Sequence, residues 1–273
     1  MKISRRQFIW SGVLALPAVF ALDAFWLEQF FVEFNEFYWG NATRDQKGIK
    51  VLQLSDLHLH KISYRHYRLA EKIKHHQPDL IVFTGDAIDR KRNLPLLKQF
   101  LELIDPAIPK AAIPGNKEYD SHVDIDALAK LYADFNGTLL INEGKRFQVR
   151  DKTITITGID DLVEGDPDYL KAIASYQPSD HHIVISHCPE YRDTMQKLVS
   201  DEVPVDFTLS GHTHGGQVNF FGYIHFVPEG SGRYLKGWYK DGKMPLYVSK
   251  GIGTSILPIR FGSRSEMAMF YLA

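Results

Sequence analysis

Two histidines stand two residues apart in Leu209-Ser210-Gly211-His212-Thr213-His214-Gly215-Gly216. Imidazole is the commonest side-chain ligand for a metal. The glycines on either side let the backbone come close to whatever the two rings hold, and no packing need explains the pair. Four other places offer comparable chemistry. Ser55-Asp56-Leu57-His58 sets a carboxylate and an imidazole two residues apart, on the same side of an extended chain, where they can grip one cation. Thr84-Gly85-Asp86 ends in a carboxylate whose two oxygens can serve two cations. Ile113-Pro114-Gly115-Asn116-Lys117-Glu118 forces a turn and offers the neutral carbonyl oxygen of Asn116. His187 directly follows the apolar run Ile183-Val184-Ile185 and Ser186. Alone, Asp-x-His, Gly-Asp and Pro-Gly-Asn are ordinary turn sequences. Together the five supply four histidines and three acids or amides. Mixed nitrogen and oxygen ligation suits Mn, Fe or Zn better than Ca or Mg.

These residues need elements that bring them to one place. Ile49–Leu54, Leu80–Thr84, Lys110–Ile113, Ile183–Ile185 and Val205–Leu209 read as short, nearly continuous apolar strands, each running into one of the five motifs. Between them, Tyr64–His76, Leu94–Leu103, Ile125–Phe135, Asp168–Ser175 and Tyr191–Leu198 read as helices, the first stopped by Pro78. Phe147–Val149 and Thr153–Thr157 flank Asp151-Lys152 as a hairpin. Val218–Phe226, Leu246–Val248 and Met267–Leu272 add strands. This alternation implies an α/β sandwich with sheet inside and helices outside. In such sheets ligands bind at the carboxyl ends of the strands, where all five motifs fall.

The chain has 273 residues and an apolar fraction of 44%, enough for one sizeable domain with a short appendage. A net charge of −1 argues against a general nucleic-acid binder and indicates no specific nucleic-acid partner. Cys188 is the single cysteine, so no intrachain disulfide forms, and it reads as a small buried hydrophobe.

The first 48 residues form a separate segment. Ser4-Arg5-Arg6-Gln7-Phe8-Ile9 precedes an apolar stretch from Phe8 to Leu22, which resembles a twin-arginine export signal. The stretch is short for a membrane span, which needs roughly 20 apolar residues. The expected location is therefore periplasmic, or membrane-anchored and facing away from the cytoplasm. Phe25, Trp26, Phe30, Phe31, Phe34, Phe37, Tyr38 and Trp39 follow. Phe30, Phe34 and Phe37 share a helical face, so this segment reads either as a helix in a membrane interface or as an arm packed on the body. Residues 41–48 read as a polar linker, and 49–273 as the catalytic domain.

The pattern Asp56-x-His58, Gly85-Asp86, Gly115-Asn116, His187 and Gly211-His212-x-His214 resembles the calcineurin-like metallophosphoesterases in order and spacing from Ile49 to about Gly216. Arg233-Tyr234, Gly237 and Ser249-Lys250-Gly251-Ile252-Gly253-Thr254 extend it toward a bacterial branch with twin-arginine signals, described as phosphodiesterases. The resemblance implies a four-layer α-β-β-α sandwich of two mixed sheets flanked by helices. It implies two divalent metal ions. Asp56, His58 and His214 would hold one, Asn116, His187 and His212 the other, and Asp86 would bridge them. A bridging hydroxide would then attack a phosphate ester, a phosphodiester or pyrophosphate, lipid-linked substrates included. The alternatives are a phosphomonoesterase or protein phosphatase, and a metal-binding protein with feeble catalysis.

One departure matters. The family reads Gly-Asn-His where this chain has Gly115-Asn116-Lys117. Lysine keeps a positive charge for a phosphoryl oxygen, but its ordinary pKa of about 10.4 makes it a poor proton donor near neutrality. Lys117, Asp86 and His212 are the expected catalytic residues, and His60 and His122 are candidates for the missing acid. His75, His76, His181 and His182 read as surface histidines, and Arg233, Lys236, Arg260 and Arg264 as solvated cations or, alternatively, contacts for a phosphate or polar head group.

Overall fold

The computed structural model describes residues 4–5, 31–43, 48–220, 223–224, 227–255 and 257–273. Strands β1 (Glu33–Trp39), β2 (Ile49–Leu54), β3 (Leu80–Thr84), β4 (Lys110–Ile113), β5 (Gly137–Leu139) and β14 (Glu266–Leu272) form one six-stranded sheet in the order β1-β14-β2-β3-β4-β5. A second is ordered β12-β13-β9-β8-β7-β6, from β6 (Glu143–Val149), β7 (Lys152–Gly158), β8 (His181–Ile185), β9 (Phe207–Ser210), β12 (Gly237–Tyr239) and β13 (Leu246–Val248). Both sheets are mixed: β2, β3, β4 and β5 run parallel, as do β7, β8, β9 and β13, while β14 is antiparallel to β2 and β6 to β7.

The central strands are apolar on both faces because both faces are covered. Val51, Val82, Ala111 and Ile113 from the first sheet meet Ile154, Ile156, Ile183, Ile185, Phe207 and Leu209 from the second. Outside the first sheet lie helices α1 (Tyr64–His76), α2 (Leu94–Glu102), the short α3 (Asn116–Asp120) and α4 (Ile125–Asp134). Leu69, Ile73, Leu97, Phe100, Leu128 and Leu131 pack there against Leu52, Leu54, Ile81 and Phe83. Outside the second lie α5 (Tyr169–Ile173) and α6 (Arg192–Leu198), which seal Val184 under Tyr169, Ala172 and Met195. The result is a four-layer α-β-β-α sandwich. Sequence punctuation sets the ends: Gln77 closes α1 in the left-handed region, its N–H on Ile73 O, just before Pro78.

Of the two readings of the aromatic segment, the arm packed on the body holds for residues 33–39 and the helix does not. Residues 33–39 are not helical but form β1, paired parallel with β14 along its whole length. The side chains alternate with period two: Phe37 and Trp39 join the inter-sheet core, while Phe34 packs on the α1 side. Trp39 donates to Asp206, Tyr271 to Glu36 and Asn35 to Glu266. The open edge of β14 needs a partner, and an aromatic run supplies one. The body therefore reaches back to Glu33, across the expected boundary at residue 48. The Arg5-Arg6 signal's apolar stretch and residues Phe25 to Phe30 lie outside the described residues. Among the described residues, no helix is long and apolar enough to cross a membrane. The strand expected over 218–226 is a small hairpin, β10 (Asn219–Phe220) and β11 (Tyr223–Ile224).

Candidate metal centre

The ends of β2, β3, β4, β8 and β9 lie side by side, and the structure brings all seven expected ligands together there. The loops stay laddered: Asp56 N–H donates to Gly85 O and His58 N–H to Asp86 O. Five of the seven residues have left-handed backbone, Asp56 (φ 51), His58 (44), Asp86 (52), His212 (71) and His214 (51). Each costs roughly 1–2 kcal/mol in a non-glycine residue. Such strain persists only where surrounding structure fixes it. Gly85 is required by contact as well as by φ 90, since a Cβ there would collide with the His187 ring.

Two nests of donor atoms result. In the first, His58 Nε2 lies 3.0 Å from His214 Nε2 and 4.0 Å from Asp56 Oδ1, which is 3.6 Å from His214 Nε2. In the second, Asn116 Oδ1 lies 3.2 Å from His187 Nε2 and 3.1 Å from His212 Nδ1, and the two ring nitrogens are 3.1 Å apart. Asp86 stands between, with Oδ2 3.7 Å from His58 Nε2 and Oδ1 3.5 Å from His187 Nε2. All are buried except Asn116, which is partly exposed.

The far ring nitrogens decide whether a cation fits. His187 Nδ1 donates to Thr84 O at 2.8 Å and His212 Nε2 to Glu229 O at 2.6 Å. A carbonyl only accepts, so each neutral ring turns its lone pair inward, toward an amide oxygen and a carboxylate. Four electron-rich atoms facing one another need a positive species between them, and the donor set fits a transition metal. In the first nest Asp89 takes Nδ1 of His58. Arg260 donates to Nδ1 of His214 at 3.2 Å, so a cation entering between His58 and His214 displaces a proton.

Charges follow from burial and neighbours. For His187 and His58 burial opposes protonation, but Asp86 beside both, and Asp89 against His58, outweigh it. His187 is held well above the usual histidine range, and His58 above it. Burial, the His58 charge and Arg260 push His214 well below that range. Burial works against ionising Asp86, but His187, His58 and the Lys117 N–H hold its carboxyl far below the usual value.

Lys117 lines the cavity beside Asp86. Its N–H donates to Asp86 Oδ1 at 2.9 Å, and its ammonium pairs with Asp120 at 3.1 Å. Burial lowers its pKa, Asp120 raises it more, and the net shift is upward, so the ammonium stays charged near neutrality and makes a poor acid. His60 pairs with Asp89 at 2.9 Å and His122 is exposed; neither lines the cavity.

Several supporting residues were not singled out from the sequence. Glu118 is buried and accepts from Asp86 N, Ile88 N and Gly115 N at 2.8–3.1 Å, fixing the two turns that carry Asp86 and Asn116. Burial, with the Asp86 charge, pushes its carboxyl up to about 7. Ser55 Oγ donates to Asp56 Oδ2 at 2.5 Å. The signals were the third position after Gly115, where a carboxylate reaches back to the turn, and the repeat Asp86-x-x-Asp89. Arg260, expected on the surface, is fully buried and binds Gly253 O and Ser263 O besides His214. His181 and His182, also expected there, are buried: His181 pairs with Asp206 at 3.1 Å and His182 bonds Pro204 O and Thr157. Cys188 is buried as expected, donating to Asp161.

Residues 49–216 match the model of the calcineurin-like phosphoesterase family. Metallophosphoesterase YkoQ of Bacillus subtilis is 32% identical over 229 residues, covering 81% of this chain and 83% of that protein. Metallophosphoesterase YkuE of the same organism is 31% identical over 297 residues, covering 99% and 98%. Phosphodiesterase YaeI of Escherichia coli is 29% identical over 231 residues, covering 82% of each. A chain that matches the family over most of its length, and gathers buried nitrogen and oxygen donors at the strand ends that the match covers, belongs to the calcineurin-like phosphoesterases, metal-dependent hydrolases of phosphoric esters.

Proposed function

We propose that the centre holds two divalent cations and hydrolyses a phosphodiester or pyrophosphate. The observation that carries this reading is Asp86, whose two oxygens face different imidazoles in different nests. A carboxylate so placed suits a bridging ligand. Asp56, His58 and His214 would hold one cation, and Asn116, His187 and His212 the other. Bound cations would lower the pKa of a water and neutralise charge on the phosphoryl oxygens.

The chain's own groups do the rest. Lys117 offers a fixed positive charge at the cavity wall, where a third phosphoryl oxygen can be held. Asp120 keeps that charge in place. Glu229 O and Thr84 O orient His212 and His187. No histidine stands at the Lys117 position to protonate a leaving group, which favours substrates whose leaving oxygen is already stabilised, as in diesters with acidic alcohols and in pyrophosphates. The similarity to YaeI, named as a phosphodiesterase, supports the same class. Export through the Arg5-Arg6 signal would place this activity outside the cytoplasm.

Protein purified without chelator and reloaded with Mn tests the reading. It should carry about two equivalents of metal and cleave bis(p-nitrophenyl) phosphate faster than p-nitrophenyl phosphate. Less than one equivalent after reloading overturns the dinuclear assignment, and a reversed preference overturns the diester assignment.

A further inference from the structure

The cavity that opens from the nests has a second half that phosphoryl chemistry does not use. Its volume is about 590 Å³. Asp86, Asn116, His212 and His214 line one end. Val163, Val218, Pro228, Leu257 and Ile259, from three separate loops, supply its apolar lining. The Gln217 and Thr213 side chains in its lining are turned onto the protein. Gln217 Nε2 donates to Ser255 O at 2.8 Å and Leu257 O at 2.9 Å, while its Oε1 accepts from Ser255 N at 2.8 Å. Thr213 Oγ1 donates to Leu235 O at 2.5 Å. Apart from the nest residues, the charged side chains among the described lining are Lys117, paired with Asp120, and Glu229. Among the described lining residues there is neither a cation for a second phosphate far from the nests nor an aromatic ring for a nucleobase.

The mouth is apolar too. Leu257 is 53% exposed and Val227 41%. Ile224 lies against the Gly216 backbone, where a Cβ would come within 3.0 Å of its Cγ2. Single exposed apolar residues are ordinary; an apolar wall and rim continuous with a catalytic centre mark a binding surface.

We infer that this half takes a long hydrocarbon chain, so the substrate is an amphiphile whose phosphate ester carries a lipid-like tail. The inference rests on the phosphoesterase reading of the centre and adds the class of its substrate. The phosphate lies in the nests beside Lys117 and the tail runs along Val218, Leu257 and Ile259 toward the rim.

The test uses the full chain reloaded with Mn and p-nitrophenyl phosphodiesters whose second ester is methyl, hexyl or decyl, all below their micellar concentrations. The leaving group is the same throughout, so differences report the tail. The expected result is a rise in kcat/KM of roughly tenfold or more from methyl to decyl, since burial of each methylene is worth several-fold. Leu257→Asp, at an exposed position, should bring the decyl-to-methyl ratio toward one, and Ile259→Ser should do the same. Methyl and decyl phosphate, followed by phosphate release, give the same comparison for an enzyme that prefers monoesters. Equal kcat/KM for short and long esters, or a ratio that neither variant moves, overturns the tail subsite while leaving the phosphoesterase reading intact. Metal-loaded protein that turns over none of the esters overturns both.

Discussion

His187 and His212 face each other nitrogen to nitrogen across 3.1 Å, each with its other ring nitrogen committed to a backbone carbonyl. A proton and a metal ion are the two species that can sit in that gap, and Asp86 stabilises either. Metal uptake is therefore proton-coupled. Because Asp86 outweighs burial and holds His187 well above the usual range, the competition extends upward from pH ~6.5. Metal affinity should fall as pH drops through that window. Calorimetric titration of metal-free protein with Mn, in two buffers of different ionisation enthalpy, should show protons released. Identical heats in both buffers would refute the coupling.

The same shifts set the pH dependence of the metal-free fold. A raised histidine contributes stability that is full below the unfolded value of ~6.5 and is lost as pH rises through the folded value. Asp86, held far below its ordinary value, contributes stability that is present above ~3.9 and is lost as pH falls. His214, held well below the usual range, works the other way and costs stability as pH falls below ~6.5, so metal-free protein should melt highest near that pH and lose thermal stability above neutrality. Added Mn should remove the high-pH loss. Melting temperatures of metal-free protein that climb steadily from pH 6.5 to 8.5 would contradict this.

Asp86→Ala removes an atom from each nest. Both metal equivalents should weaken together, whereas Asn116→Ala should weaken one and leave the other. Elemental analysis after gel filtration separates the outcomes. Loss of a single equivalent in Asp86→Ala would show that the carboxylate is not shared.

Glu118→Gln tests the carboxylate beneath the site. Two backbone N–H groups share its Oε2 and a third uses Oε1. An amide must turn its NH2 toward one of them, displacing the Asp86 or Asn116 turn. Activity or metal affinity should fall by about 10–100-fold, the usual cost of losing a partner behind a ligand. Parental metal affinity and rate in a folded Glu118→Gln would rule out that role.

Lys117→Ala should lower the rate roughly 10²–10³-fold if the ammonium clamps a phosphoryl oxygen in the transition state, with metal content unchanged. Lys117→His restores an ionisable donor. It should help esters with poor leaving groups most and bring a pH dependence in the imidazole range. A Lys117→Ala rate equal to the parent's on every ester makes Lys117 a spectator.

Much of this was legible in the sequence because the central strands are buried on both faces. Leu80–Thr84 and Ile183–Ile185 read as strands without ambiguity, and the chemistry-bearing residues follow them directly. β1 was misread because Phe30, Phe34 and Phe37 match a helical period, while its real partner, β14, lies more than 200 residues away and is invisible to any local pattern. Arg260 and Glu118 were missed for a related reason. A charged side chain reads as solvated until the backbone carbonyls or N–H groups that enclose it are known. The apolar wall of Val163, Val218 and Leu257 joins three loops that no spacing connects.

The pairing of β1 with β14 also fixes an order of events. Asn35 and Glu266 are 231 positions apart yet hydrogen-bonded, and β14 is the strand that joins β1 to β2. During synthesis β1 lacks its described sheet partner until β14, more than 200 residues further on, has been made. Its aromatic face must wait, exposed or chaperoned, while the interior strands assemble, and such long-range closure is slow. The strand that immediately follows the chain's leading segment is thus among the last to dock. Its docking reports that the whole sheet is complete.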